Sequence, residues 1–322
     1  MLPNVLKPML ATPAEKPFDS REYLYEIKWD GYRCLAFLNG ATRLQSRNLN
    51  DISHVFPDLG QLSRQTKLPD LLLDGEIIAL RDGKPSFLEL QKRAQLRNPE
   101  QIARMVAKIP VVYVVFDLLY LNGASLLELP LIKRRQLLEE NLIPSDELVI
   151  AGQVPERGIA YFSATAELGL EGVIAKKADA PYSPGKRVKT WLKFKHKRNG
   201  LFIVCGFIEN TTSRGELRSL ILGAYHDDIL RWCGMVGTGF TMRELALLHQ
   251  ELRQMTVESC PFTGIPLRKP GVSWVKPLIP CEIEYFEVTD DGSLRHPTFL
   301  GFRPDKQPSD CQLGNLQFSS EV

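Results

Sequence analysis

Tyr25-Glu26-Ile27-Lys28-Trp29-Asp30-Gly31-Tyr32-Arg33 decides how the chain is read, because it sets one lysine among groups able to hold, charge and release a phosphate. Taken as an extended strand, its period of two puts Glu26, Lys28 and Asp30 on one face and Tyr25, Ile27 and Trp29 on the other. The polar face then carries a single amine. A free lysine has a pKa of about 10.4 and must lose its proton before the nitrogen can attack anything. Burial and neighbouring cations both favour the neutral form. The plainer reading of the same nonapeptide is an Asp30-Gly31 hairpin turn with Lys28 as a solvated strand residue.

Outward from this stretch, Cys34-Leu35-Ala36-Phe37-Leu38 continues extended to an Asn39-Gly40 turn, and Thr42 to Arg47 returns as its partner, ending at Ser46-Arg47-Asn48. The run Leu71 to Leu80 is a buried strand interrupted by Asp74-Gly75-Glu76, whose two carboxylates share a face. Carboxylates in so apolar a run are costly unless paired or bound to a cation, which points to a site; the alternative is a second Asp-Gly turn. Two helices follow, Ser86 to Arg97 and one capped by Asn98, with Pro99 first and Gln101 completing a capping box. Val111 to Tyr120 is a near-continuous apolar strand in which Phe116 is most simply a core residue. Ile132 to Leu142 and Glu156 to Leu168 are amphipathic helices. The strand Glu171-Gly172-Val173-Ile174-Ala175-Lys176 opens on an acid, and Thr190 to Lys195 alternates so that Lys193 and Lys195 share a face. The proline-rich segment Lys7 to Phe18 lacks periodicity and reads as a lead-in packed on the first domain.

With 322 residues and 44% hydrophobic content, the chain has room for two domains with sizeable cores. No run approaches eighteen apolar residues and the first residues lack signal-peptide order, so a cytoplasmic protein with no membrane partner is expected. The six cysteines are widely spaced without a Cys-x-x-Cys pair, which argues for reduced thiols and against structural zinc. Net charge is only +2, but Lys186 to Arg198 holds seven Lys and Arg residues and no acid, with Trp191 and Phe194 interleaved. Lys186, Arg187, Lys189, Lys197 and Arg198 in that run are candidates for nucleic-acid phosphates.

Composition shifts at His196-Lys197-Arg198-Asn199-Gly200, which predicts domains over 1–198 and 199–322. Beyond the boundary the chain reads as short strands, Leu201 to Glu209, Leu217 to His226, Ile229 to Val236 and Glu282 to Thr289, with turns at Gly215, Asp227-Asp228 and Asp291-Gly292. One helix, opened by a Thr241/Glu244 capping box, interrupts them. A small oligonucleotide-binding (OB) barrel with one inserted helix fits this pattern.

The chemistry these parts imply is nucleotidyl transfer, with Lys28 as nucleophile, Glu76 and Glu171 for a divalent metal, and Lys193 and Lys195 for phosphate oxygens. Mg²⁺ is the expected metal, with Mn²⁺ able to substitute. Lys28-Trp29-Asp30-Gly31-Tyr32-Arg33, Ser46-Arg47-Asn48, Asp74-Gly75-Glu76, Phe116-Asp117, Glu171 to Lys176 and Trp191-Leu192-Lys193-Phe194-Lys195 resemble, in order, the motifs of ATP-dependent DNA ligases. Val236 to Phe240 and Leu294 to Lys306 resemble the ligase module of bacterial end-joining enzymes.

The resemblance implies an α+β nucleotidyltransferase domain of antiparallel sheets with flanking helices, followed by the OB-fold. It implies AMP carried on Lys28 as a phosphoramidate, Glu26 and Ile27 at the adenine edge, and Phe116 stacked on the base. It implies Arg33, Arg47 and Glu76 at ribose, phosphate or nick, Glu171 near the metal, and Lys193 and Lys195 on the phosphate. Arg303, Asp305 and Lys306 would approach the pyrophosphate. The implied partners are ATP and nicked or broken duplex DNA, with end-joining or repair proteins beside them, and the expected state is a monomer. Two departures stand out: Leu49 where such enzymes often have glycine, and Val288 where tryptophan is frequent. RNA ligases and mRNA-capping guanylyltransferases share the lysine motif and barrel, and a non-catalytic binding protein is the reading from another class. The absence of a four-cysteine module disfavours NAD⁺-dependent ligation.

Overall fold

Two sheets of the first unit meet at residues 28–31, so the stretch around Lys28 is a crossing between sheets and not one continuous strand. The computed structural model describes residues 1–81, 83–209, 217–263, 271–289 and 291–314. Its chain divides into two compact units, Met1–His196 and Lys197–Val322. Strand Ser20–Ile27 ends one residue before Lys28 and lies between Gly172–Lys177 and Val154–Glu156 in a five-stranded sheet. Beyond Gly172–Lys177 come Arg187–Lys195 and then Leu10–Pro13, which pairs parallel at the edge. The aperiodic lead-in therefore contains a strand, one too short to show a period.

Tyr32–Leu38 opens the other sheet, where it lies between Thr42–Ser46 and Leu71–Arg81, followed by Val111–Leu121. Asp30-Gly31 is thus no hairpin. A side chain on Gly31 would collide with the Ile77 carbonyl, so glycine is what lets the chain pass this close to the neighbouring strand. Asp74-Gly75 is no turn either, since both residues lie inside Leu71–Arg81.

The apolar run at 71–80 is continuous because its sheet is buried on both faces. Leu71, Leu73, Ile77 and Ala79 join a core under the flanking helices, while Leu72 and Ile78 join a second core with Met9, Tyr182 and, from the opposite sheet, Trp191. Asp74 and Glu76 have the parity of Leu72 and Ile78, which turns them toward the opposite sheet. In Val111–Leu121 the pairing skips from Asp74↔Asp117 to Gly75↔Val115, leaving Phe116 as the extra residue of a bulge. Bulges re-aim side chains, and this one directs Phe116 into the core between the sheets.

Helices Phe87–Ala94, Pro99–Lys108, Leu131–Asn141 and Gly158–Glu167 flank the sheets. Asn98 accepts from the Glu100 and Gln101 amides at 2.9 and 3.3 Å. The helix from Leu131 is fastened by Arg134, which pairs with Asp117 at 2.8 and 2.9 Å, both side chains fully buried. Glu156, expected to begin a helix, instead ends the short strand Val154–Glu156, and the helix starts at Gly158.

The second unit is an OB-fold built on one curled sheet, in the order Ile229–Val236, Leu217–His226, Arg198–Glu209 and Val272–Tyr285, with Thr298–Phe302 on the last. Register shifts beside Gly206 and Gly223 bend it; a Cβ at Gly206 would lie 2.7 Å from the Ser273 carbonyl. Helix Met242–Gln254 carries the expected capping box, Thr241 with Glu244. The strand expected at Glu282 to Thr289 is instead Val272–Tyr285, and Val288 forms a bridge to Leu294 and packs on the core. The Gly215 turn lies outside the described residues. Among the described residues no helix is long and apolar enough to cross a membrane.

Candidate active site

Lys28 is fixed from both ends. Its backbone amide donates to the Gly172 carbonyl at 2.9 Å, extending the strand pairing by one bond. Its Nζ forms an ion pair with Glu171 Oε2, and Lys195 Nζ holds Glu171 Oε1 at 2.8 Å. Glu171 is only 5% exposed. Burial alone would raise its carboxyl, but Lys28 and Lys195 outweigh that and hold it below the ordinary range. Gly172 sits at φ +149°, where an added side chain would strike the Phe194 carbonyl, so glycine allows the Glu171 turn to close on the lysine strand.

Two further ion pairs and the contacts around them order the floor of the cavity. Arg33 grips Asp74 with two bonds of 2.6 Å, and Tyr182 Oη donates to the same carboxylate at 2.6 Å. The Arg33 guanidinium lies 4.5 Å from the Phe116 centroid. Glu26, buried, receives Gln153 Nε2 at 2.5 Å and pairs with Lys176 Nζ at 2.6 Å. Lys176 in turn sits 4.0 Å from the Phe116 centroid and 4.3 Å from that of Trp191. Burial pushes the Lys176 amine down, against the pull of Glu26. Glu76 is pushed up to about 7, by burial first, with Arg33 and Lys28 opposing.

Glu26, Ile27, Lys28, Arg33, Arg47, Glu76, Phe116 and Lys193 line one cavity, while Glu171 and Lys195 stand behind Lys28. Burial lowers the Lys193 amine, and the like charges of Lys195, Lys28 and Arg187 push the same way. Arg303, Asp305 and Lys306 belong to the second unit. There Asp305 holds the Arg303 guanidinium at 2.8 and 2.7 Å and Glu282 adds a bond of 3.1 Å. Of the basic run, Lys197 pairs with Glu284 at 2.9 Å. Leu49, the departure beside Arg47, takes φ +68°, a left-handed conformation that glycine adopts without strain.

The sequence reading missed Asp74 as the partner of Arg33, Gln153 and Lys176 as partners of Glu26, and Trp191 as a wall. A lysine closing an apolar strand was the available signal for Lys176, since such a residue is seldom buried unless paired. Among the described residues no three His, Cys, Asp or Glu side chains gather as a metal cage. Of the two carboxylates expected to serve a metal, Glu76 lines the cavity, while Glu171 has its oxygens engaged by Lys28 and Lys195; carboxylate oxygens suit a hard cation that keeps water and phosphate oxygens.

Two sheets meeting at a lysine amine, followed by an OB-fold, define the class of covalent nucleotidyltransferases. Within it, this chain belongs to the ATP-dependent DNA ligase family: the ATP dependent DNA ligase domain matches residues 8–195, and the ATP dependent DNA ligase C terminal region matches 213–306. The chain is 35% identical over 311 residues to the multifunctional non-homologous end joining DNA repair protein LigD of Mycobacterium tuberculosis, covering 95% of this chain and 39% of that protein. It therefore spans about two fifths of that relative's length. It is 32% identical over 332 residues to DNA ligase C1 of Mycolicibacterium smegmatis, covering 97% of this chain and 93% of that one. The crystal structure of the ligase domain of M. tuberculosis LigD is similar at a TM-score of 0.54 and 34% identity, over 95% of this chain and 97% of that chain.

Proposed function

We propose that this ligase seals 5′-phosphate to 3′-hydroxyl breaks in duplex DNA in three exchanges. Lys28 Nζ attacks the α-phosphorus of ATP, forming a P–N bond as the P–O bond to the β-phosphate breaks and pyrophosphate leaves. A 5′-phosphate oxygen then attacks the same phosphorus and frees Lys28. The 3′-hydroxyl finally attacks the 5′-phosphate, and AMP departs. The observation that carries this reading is the Lys28–Glu171–Lys195 bridge, an amine held at the end of a cavity lined by further cations. Each step swaps one phosphate linkage for another, so positioning and charge neutralisation supply most of the rate.

In this reading Glu26 and Ile27 meet the adenine edge, Phe116 stacks on the base, and Arg33 and Arg47 serve the ribose, phosphate or nick. Lys193 and Lys195 take the α-phosphate oxygens. Glu76 and Glu171 would hold Mg²⁺, or Mn²⁺ in its place, which neutralises phosphate charge when bound. Arg303 and Lys306 stabilise the departing pyrophosphate, with Asp305 orienting Arg303; the support is the family match reaching residue 306 and the two bonds from Arg303 to Asp305. Likeness to LigD supports end joining as the setting, on broken DNA in the cytoplasm and with repair proteins as partners.

Labelled ATP tests the proposal directly. The expected result is an acid-labile AMP adduct that maps to Lys28, forms with ATP and not GTP, and is discharged by a nicked duplex. An adduct on another residue, or none, would contradict it.

A further inference from the structure

Glu171 and Lys195, which join in the bridge to Lys28, meet where two neighbouring strands end. The last paired residues of Gly172–Lys177 and Arg187–Lys195 are Gly172 and Lys195, and Glu171 lies one residue outside the first strand. The His196 amide adds one more bond, donating to the Glu171 carbonyl at 3.1 Å. The end of a ladder frays unless something beyond it holds the chain.

Thr165 supplies that hold. It lies near the end of helix Gly158–Glu167 and is 1% exposed. Its carbonyl accepts from the Leu170 amide at 2.9 Å, and its Oγ1 lies 2.9 Å from His196 Nε2. Leu170 precedes Glu171, and His196 follows Lys195. The carboxylate and the lysine are therefore both tied to one buried residue through their immediate neighbours.

The hydroxyl also fixes which group donates. Thr165 Oγ1 has a single proton and gives it to the Phe162 carbonyl at 2.8 Å, so toward His196 it accepts and Nε2 is the donor. Phe162 covers the imidazole, with centroids 4.0 Å apart and planes at 32°, and packs edge-on against Phe194 of the lysine strand. His196 is held at its edge by a hydrogen bond and on its face by a ring.

We propose that His196 is a positioning residue for adenylation: clamped to Thr165, it fixes the end of strand Arg187–Lys195 so that Lys195 stays on Glu171, and Glu171 on Lys28. It does not line the nucleotide cavity and acts through Lys195. The role rests on the adenylation reading above.

Single-turnover adenylation at saturating ATP tests the assignment in wild type, His196→Phe, His196→Gln and Thr165→Val, with His196→Phe made again in a Lys195→Ala background. Phenylalanine keeps a ring on Phe162 but has no donor, whereas the glutamine amide nitrogen can take the place of Nε2. Loss of one such hydrogen bond is worth up to roughly tenfold. His196→Phe and Thr165→Val should slow adenylation by about that factor, and His196→Gln should recover most of the rate. In the Lys195→Ala background His196→Phe should add little, because the lysine through which it acts is gone. A wild-type rate in His196→Phe would overturn the proposal, as would a glutamine variant as slow as the phenylalanine one, or a full further loss without Lys195. Equal slowing in both His196 variants together with a lowered Tm would assign the residue to the fold alone and overturn it too. A wild-type chain that takes no AMP at all would instead overturn the adenylation reading, and this assignment with it.

Discussion

Glu171 is the residue through which the site closes, since its two oxygens divide between Lys28 and Lys195. Its position at the head of a strand was visible in the sequence; that it would touch the lysine across two strands was not, because pairing between distant segments leaves no local period. Asp74 is the converse case. Its cost inside an apolar run was legible, but its partner Arg33 is set by cross-strand register. Glu76 gives a prediction at this scale. Its folded pKa stands at about 7 against an ordinary 4.5, so between those values the folded chain keeps a proton that the unfolded chain has lost. Stability from this group is therefore present below pH 4.5 and falls as pH rises toward 7. Denaturant unfolding across that window should show a decline that Glu76→Gln makes shallower. Parallel curves for the two proteins would remove Glu76 as the cause.

Alternation found most strands, yet it joined two of them wrongly. Ile27 and Trp29 keep a period of two through residues 25–33 although Ser20–Ile27 and Tyr32–Leu38 belong to different sheets. Periodicity reports which face is buried and does not say against which sheet. Gly31 was the punctuation: run through as strand, or in the plainer reading a turn, it serves instead for close approach to Ile77. The bulge at Phe116 was likewise invisible, because an extra residue in a strand apolar on both faces apart from Asp117 changes no alternation. Gly75 is the strongest test of the element as built. A Cβ there would lie 2.6 Å from both the Tyr113 ring and the Val114 carbonyl. Gly75→Ala should cost on the order of 1–3 kcal/mol through overpacking, read as a lowered Tm, and should depress adenylation by shifting Glu76. A Tm equal to wild type would mean the strands separate there without cost.

The first unit holds Lys28, Glu171 and the cavity, while the second carries Arg303 locked between Asp305 and Glu282. Side-chain bonding to Asp305 and Glu282 raises the Arg303 pKa, and the same bonding holds Asp305 at about 2, so both stay charged at neutral pH. This division was the most legible feature of the sequence, because the ligase motifs are ordered along the chain and composition shifts between the units. In the proposed mechanism Lys28 carries AMP and does nothing else that joining requires. This is tested most directly by giving Lys28→Ala two substrates, ATP with a nicked duplex and a nick whose 5′ end already bears AMP. Lys28→Ala should show no adenylation and no joining on the first, and retained joining on the second, where no amine nucleophile is needed. ATP-dependent joining by the purified variant, or failure on the pre-adenylated nick by a variant with wild-type Tm, would contradict that mechanism.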